Sequence, residues 1–189
     1  LDRETSGLVL VAKCDDVACE LRRLWENHKV RKQYLALVHG HMAQDTGEID
    51  VPLGRDEHSR VAIKDCVRPD GAPAVTRFEI RRLLEREEGC FSLLDITTKT
   101  GRKHQIRIHL SHIGHPIVGD KLYGKNEDYY LALVERRITD GIRSELLLPC
   151  HALHAGELTF LWRGSDWAFM ANPEPWFVQF IEGVRHSRR

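Results

Sequence analysis

An acid and a base stand side by side at the start of this sequence, directly before an apolar run. The first seven residues read Leu-Asp-Arg-Glu-Thr-Ser-Gly, so Asp2 and Arg3 precede small polar residues and Gly7. A carboxylate held at a fixed position can act as a nucleophile. Asp, Thr, Ser and Gly also favour turns, so this segment on its own indicates a turn as readily as a catalytic site.

A second candidate segment lies in the middle of the chain. Residues 95–125 hold six Lys or Arg and four His against two Asp, although the whole chain balances 28 basic residues against 28 acidic ones. On a helix, His104, Arg107 and Ser111 share one face, while apolar residues share another that faces a core. The polar face can meet phosphates or a catalytic carboxylate. It can equally be a solvated basic surface.

Two clusters invite a metal-site interpretation. The first comprises His109, His112 and His115, and the second comprises Cys150, His151 and His154. The spacing of the three histidines does not converge on one helical face, and no acidic residue lies among them. The second cluster lacks further ligands at a zinc-site spacing. We therefore predict no metal site here, and expect these histidines near the core or near phosphate groups.

Composition limits the remaining possibilities. The chain has 189 residues, of which 42% are hydrophobic and 30% charged, which excludes a disordered tail or a fibrous repeat. No apolar run approaches the ~18 residues of a membrane span. Five cysteines without a paired spacing indicate free thiols in a reducing compartment, so we expect a cytoplasmic protein. The length suits one domain.

The hydrophobic pattern predicts an α+β fold with a mostly antiparallel mixed sheet flanked by a few helices. Predicted strands cover residues 7–12, 34–38, 49–53, 59–64, 75–84, 91–98, 146–148, 156–161 and 167–170. Predicted helices cover residues 15–28, 103–113, 129–138 and 176–181. We expect the helix over 103–113 to end at Gly114, with Pro116 just beyond.

The opening thirteen residues resemble the signature of the RluA-like family of pseudouridine synthases, in which an Asp-Arg-x-Thr-Ser-Gly motif carries the essential Asp. Further segments resemble the family's motifs in the family's order: 31–38, 64–76, 100–109 and 114–124. Residues 148–155 resemble its late Leu-x-Leu-His-Ala strand, but depart from it at Pro149-Cys-His-Ala152. The likeness covers residues 1 to about 160 and implies the pseudouridine synthase catalytic fold.

The resemblance also implies an active site. Asp2 would be the catalytic carboxylate, Tyr34 the aromatic residue against the target uracil, and Arg107 the basic residue paired with Asp2. The reaction breaks a glycosidic C–N bond and forms a C–C bond to the same base, so it needs no cofactor. Asp2 could act as nucleophile or stabilise positive charge on the sugar. Whether it attacks the base or the ribose stays open.

An RNA-modifying isomerase must extrude its target base from the stack. Residues that we expect to contact RNA are Arg3, Lys32, Arg102, Lys103 and His104. The resemblance favours large-subunit ribosomal RNA as substrate, with transfer RNA as the alternative, acted on by a monomer. A non-catalytic RNA-binding module of the same fold is the competing hypothesis. Because the family's His-Arg before Leu-Asp is absent, we expect 1–189 to be a single, N-terminally incomplete catalytic domain. We expect it to be weakly active or inactive alone, and the parent protein to be a synthase.

Overall fold

The computed structural model describes residues 1–183, and a seven-stranded sheet forms its centre. The strands are β1 (Ser6–Gly7), β2 (Val30–His39), β3 (Thr46–Asp50), β4 (Leu53–Arg55), β5 (Asp65–Val67), β6 (Val75–Arg86), β7 (Gly89–Thr98), β8 (Leu153–Trp162) and β9 (Ser165–Met170). The helices are α1 (Asp15–Glu26), α2 (Gln105–His112), α3 (Asp128–Val134), α4 (Asp140–Leu146) and α5 (Pro175–Glu182).

The strand order is β1-β8-β2-β7-β6-β3, with β9 added on β8, while β4 and β5 pair separately. β1 runs parallel to β8, and the other neighbouring strands run antiparallel. The predicted α+β class with a mostly antiparallel mixed sheet is therefore confirmed.

β2 and β7 lie at the centre of the sheet because their middle residues are apolar on both faces. Residues 35–38 of β2 are buried, as are Phe91, Leu93, Leu94 and Ile96 of β7. The same core cluster takes in side chains from two helices, namely Ile106 and Leu110 of α2 and Phe177 of α5. This packing fixes α2 against the central strands, and α2 carries the basic face noted in the sequence.

The helix predicted over 103–113 is confirmed, and both of its ends have left-handed backbone. Gly114 follows the helix with φ of +87°, a conformation that glycine adopts without steric cost. His104 precedes the helix with φ of +55°, which is unusual for a residue that carries a side chain. Such backbone strain is common at functional sites.

The strand predicted over residues 7–12 was wrong. Only Ser6 and Gly7 pair with β8, and Val9 and Val11 are 68% and 76% exposed. The reason is competition for one strand edge, because β9 pairs with β8 from Glu157 onwards. The apolar run therefore finds no strand partner within the described residues. Periodicity alone could not show this competition.

Two other strand predictions were also wrong. Leu146 is the last residue of helix α4, and residues 147–148 lie outside any strand. The first turn of α4 is capped by the Thr139 hydroxyl, 3.3 Å from the backbone nitrogen of Ile142. Residues 59–64 form turns, and the strand falls at β5 instead. Across residues 1–183, no helix is long and apolar enough to cross a membrane.

Candidate active site

Asp2 heads a turn that is fixed to the beginning of β8. The backbone N–H of Thr5 donates to the Asp2 carbonyl at 3.1 Å, and the next two residues enter the parallel β1–β8 pair. Gly7 has φ of +111°, and a Cβ there would overlap the Ala155 carbonyl. Only glycine allows the two backbones to come this close. The motif's Gly thus fixes where its Asp lies.

Two buried histidines hold the polar residues of this turn. Thr5 Oγ1 lies 2.7 Å from His151 Nε2, and Ser6 Oγ lies 2.8 Å from His154 Nδ1. His154 Nε2 donates to the Ala171 carbonyl at 3.0 Å, so its Nδ1 accepts from the Ser6 hydroxyl. The Thr-Ser pair of the motif therefore anchors the turn to the two histidines.

A buried ion pair supplies a further anchor on the same turn. Lys121 is 3% exposed, and its Nζ donates to both carboxylate oxygens of Glu4 at 2.8 and 2.9 Å. It also donates to the Pro149 carbonyl at 2.8 Å. A buried ammonium is tolerated because its donors are satisfied. Asp2 is therefore followed by a segment with little freedom to move.

Arg107 joins two carboxylates. Its Nε and Nη2 donate to Asp120 at 2.7 and 2.9 Å, which is the bidentate geometry that guanidinium favours. Its Nη1 donates to Asp2 Oδ2 at 2.9 Å. The guanidinium is also 4.9 Å from the centroid of the Tyr123 ring. Asp120 and Tyr123 thus orient the arginine, and the arginine orients Asp2.

Burial and charge act in opposite directions on the ionisation of Asp120 and Arg107. Burial alone would raise the pKa of Asp120, but hydrogen bonds and charge from Arg107 outweigh it and lower that pKa to about 2. Burial would likewise lower the pKa of Arg107, yet Asp120 and then Asp2 raise it. Both groups stay ionised at neutral pH. The Arg107 charge is therefore permanent beside Asp2.

Tyr34 forms another wall of the same pocket. It lies in β2 opposite Ile96 of β7 and Ala155 of β8. Burial first, and then the charge of Asp2, raise the pKa of its phenol, so the hydroxyl keeps its proton at neutral pH. The hydroxyl has no hydrogen-bond partner among residues 1–183. It is therefore available to a bound ligand.

His104 completes the polar surroundings of Asp2. Its Nε2 is 4.0 Å from Asp2 Oδ1, and its Nδ1 is 2.9 Å from the Tyr123 hydroxyl. Burial, followed by the nearby charge of Arg107, lowers the pKa of His104. The imidazole is therefore neutral at pH 7, and Asp2 Oδ1 has no strong donor among the described residues. One oxygen of Asp2 is bound, and the other is open.

These side chains line a pocket of about 350 Å³. Asp2, Tyr34 and Arg107 lie on its wall together with Leu153, and residues 100–105 form one side. This volume is at the lower end of the 300–1,000 Å³ typical of small-molecule sites. The three residues that sequence reasoning grouped as catalytic therefore share one cavity.

The five residues expected to contact RNA differ in their surroundings. Lys32, Arg102, Lys103 and His104 line the pocket, whereas Arg3 is exposed and lies outside its wall. The Arg102 Nε donates to the Pro73 carbonyl at 3.1 Å, and Lys103 pairs with Asp65 at 2.9 Å. Lys32 forms no ion pair with any residue of the described part. Among the four candidates that line the pocket, its charge is the one most available to a ligand.

Several residues of the site were not predicted from sequence. Sequence reasoning missed the positioning roles of Asp120, Lys121 and Tyr123, and it treated His151 and His154 as possible metal ligands. It also missed Gln105, whose amide donates to Val75 and Thr76 while its carbonyl oxygen accepts from Thr100 and Arg102. Asp120, Lys121 and Tyr123 all lie in residues 114–124, a segment that resembles a family motif, and that resemblance was the available signal.

Two histidines of the run over residues 109–115 are held by hydrogen bonds within the protein. His109 donates from Nε2 to the Val51 carbonyl at 3.1 Å and shares its Nδ1 with the Thr76 hydroxyl at 2.9 Å. His115 Nδ1 donates to the His39 carbonyl at 2.9 Å. Within the part of the chain that the structure describes, no three His, Cys, Asp or Glu side chains are grouped to hold a metal ion.

Known proteins resemble this chain in fold and in sequence. The fold is that of the human protein RNA Pseudouridylate Synthase Domain Containing 1, which matches with a TM-score of 0.73 and 28% identity over 93% of this chain and 67% of the other. The RNA pseudouridylate synthase family matches residues 1–112. The chain therefore belongs to that family, and the predicted resemblance is confirmed.

Curated relatives carry related names. An uncharacterized RNA pseudouridine synthase of Chloroflexus aurantiacus is 39% identical over 182 residues, covering 96% of this chain and 50% of the relative. The dual-specificity RNA pseudouridine synthase RluA of Vibrio parahaemolyticus is 36% identical over 168 residues, covering 88% of this chain and 60% of the relative. The chain spans about half the length of the first of these relatives.

Proposed function

We propose that this chain isomerises uridine to pseudouridine in RNA, with Asp2 as its catalytic carboxylate. The observation that carries the proposal is the 2.9 Å contact between Arg107 Nη1 and Asp2 Oδ2. It holds one carboxylate oxygen and leaves the other in a pocket that also exposes the phenol of Tyr34. Membership of the RNA pseudouridylate synthase family supports the assignment.

The chemistry balances without any co-reactant. The bond between the uracil N1 and the ribose C1′ breaks, and a bond between the uracil C5 and C1′ forms. The C5 hydrogen leaves as a proton, and N1 gains a proton. Asp2 either forms a transient covalent bond or stabilises positive charge at C1′. Arg107 holds the Asp2 carboxylate in one orientation through the 2.9 Å hydrogen bond, which matters because small misplacements cost rate.

Tyr34 and the basic rim complete the proposal. A uracil extruded from its stack enters the pocket, and the Tyr34 ring and hydroxyl meet it there. Because burial and Asp2 raise the pKa of Tyr34, the neutral phenol can donate a hydrogen bond to the base. Lys32, Arg102, Lys103 and His104 contact the RNA backbone at the rim.

For the substrate we propose large-subunit ribosomal RNA, with transfer RNA as the alternative. Relatives in Zymomonas mobilis and Nitrosomonas europaea are named ribosomal large subunit pseudouridine synthase D, at 33% and 37% identity. The Vibrio relative is named a dual-specificity enzyme. We place the activity in the cytoplasm, because all five cysteines are free.

A tritium-release assay tests this function. Transcripts of large-subunit ribosomal RNA and unmodified transfer RNAs are labelled with tritium at C5 of uridine, and the whole protein that carries this sequence is added. We expect release of tritium from ribosomal RNA, since C5 loses its hydrogen. Release from transfer RNA alone would overturn the substrate proposal. No release from either RNA, with binding retained, would instead support the non-catalytic RNA-binding module.

A further inference from the structure

A second cavity adjoins the catalytic pocket, and the proposed reaction does not use it. Its volume is about 680 Å³, and we call it the flanking groove. The end of α1, the beginning of β2, the end of β7 and the β8–β9 hairpin surround it. Trp25, Lys32 and Thr98 line both cavities, so the two are continuous.

The flanking groove is basic. Its cationic wall residues are Lys29, Arg31, Lys32 and Lys99, against a single acidic residue, Asp166, among the residues that line it. Lys99 is 2.9 Å from a Glu48 oxygen, so part of its charge is already used. Lys29, Arg31 and Lys32 form no ion pair with residues 1–183. Burial lowers the pKa of Lys32, as expected for a lysine without a counterion.

Aromatic side chains form another part of the wall. Trp167 is 40% exposed although it stacks on Phe169 at 5.9 Å, and Trp25 lies on the wall shared with the catalytic pocket. Exposed aromatic faces beside cations are the features with which proteins hold unpaired nucleotides. Bases stack on the rings, and the cations follow the phosphates. The Asp and Glu side chains of an acidic peptide would pair with the cations but carry no aromatic ring to stack on this wall.

We propose that the flanking groove binds the unpaired nucleotide of RNA adjacent to the target uridine, with Lys29 and Arg31 contacting its phosphates. This inference rests on the proposed function, because it takes the first pocket as the site of the extruded uracil. The shared wall supports it, since a strand that leaves one cavity passes Lys32 before it enters the other. The groove then selects RNA segments in which the target's neighbour is also unstacked.

Charge reversal tests the groove. We compare Lys29→Glu/Arg31→Glu with the control Arg82→Glu/Arg136→Glu, whose positions are exposed and lie outside both cavities. The probe is a fluorescein-labelled oligouridylate of about ten nucleotides. Its fluorescence anisotropy reports binding to the whole protein. We expect the groove variant to raise Kd about tenfold. The negative slope of log affinity against log salt should become shallower by ~1.4, because two phosphate contacts are lost. The control should stay within about twofold of wild type.

Two further readouts keep the inference separate from the proposed function. In the tritium-release assay, the groove variant should raise KM for RNA more than it lowers kcat. If wild type releases tritium and both double variants bind the oligouridylate equally, the groove inference is wrong and the proposed function stands. If wild type releases no tritium, the proposed function fails. Displacement of the probe by oligoglutamate at equal charge would overturn the groove's assignment to RNA.

Discussion

Asp2 and Asp120 are bound to the same guanidinium, yet their surroundings differ. Asp120 has no exposed side-chain surface and accepts from Arg107 and from the backbone of Leu122 and Tyr123. The Asp2 side chain is 24% exposed and accepts one bond from Arg107. The fully bonded carboxylate has no lone pair left for a substrate, whereas the half-bonded one has. The difference supports the proposal that Asp2 is the reacting carboxylate and that Asp120 positions Arg107.

The two sides of Arg107 also differ in what holds them. Asp120 is three residues from Tyr123, and both are buried in one short segment. Asp2 instead depends on a turn fixed from a distance, by His151, His154 and Lys121. The buried side should therefore govern stability, and the pocket side should govern rate.

Loss of the shared cation should have the largest effect on stability. Arg107→Leu leaves Asp120 as a buried, unpaired anion, so the free energy of unfolding should fall by about 3–5 kcal/mol. Urea denaturation measures this change. Arg107→Lys keeps the charge but cannot form the fork to both carboxylates, so it should lose less. Equal losses in the two variants would contradict the assigned role of the buried charge pair.

Acid should act on the two sides at different pH values. Burial lowers the pKa of His151 to about 4, whereas the unfolded chain takes up this proton at about 6.5. Stability is therefore present above pH ~6.5 and is lost as the pH falls towards 4, by ~3 kcal/mol for this group. Asp120, with its pKa lowered to about 2, contributes a separate loss only below about pH 4.

Comparison of the wild type with His151→Gln isolates the contribution of His151 to the pH dependence of stability. This comparison is needed because burial lowers the pKa of other histidines as well. Burial also lowers the pKa of His109 and His104. His151→Gln retains a polar partner for Thr5 without the titration, so its unfolding free energy should fall less than that of wild type between pH 6.5 and 4. Chemical denaturation at each pH gives both curves. Parallel curves would show that His151 does not titrate as described.

A smaller effect is expected from a single anchor of the Asp2 turn. Thr5→Val removes the 2.7 Å hydrogen bond to His151 Nε2 and should cost about 1 kcal/mol of stability. Turnover should fall several-fold, since Asp2 is positioned less well. Thr46→Val, at an exposed position of β3, is the matched control and should change neither quantity. Thermal unfolding and tritium release measure both.

The pocket side of Arg107, with Asp2, could be predicted from the sequence better than its buried side, with Asp120. Asp2, Tyr34 and Arg107 were grouped because each stands in a separate, spaced motif. Asp120 follows a glycine and reads locally as a turn residue, and its partner lies thirteen positions earlier on a helix. His151 and His154 were considered as metal ligands because a sequence shows which side chains can donate or accept, but not which groups they contact in the fold. Their partners depend on strand pairing between distant segments.

Strand competition explains the main error in the predicted fold. Residues 8–12 have the apolar composition of a buried strand, and Val9 and Val11 are nevertheless exposed. Whether an apolar run pairs depends on a free strand edge, and β9 takes that edge. By contrast, β2 and β7 were predicted correctly because both of their faces are covered by the core.

The rate of tritium release by Asp2→Asn, beside Asp120→Asn, tests the central claim most directly. Asp2→Asn should lower turnover at least about a thousandfold, since the carboxylate is the proposed reacting group. Its RNA affinity should stay within about twofold of wild type and its stability within about 1 kcal/mol, because the group is partly exposed. Asp120→Asn should instead lower stability by about 3 kcal/mol and retain measurable turnover. If Asp2→Asn releases tritium within about tenfold of the wild-type rate, Asp2 is not the catalytic carboxylate.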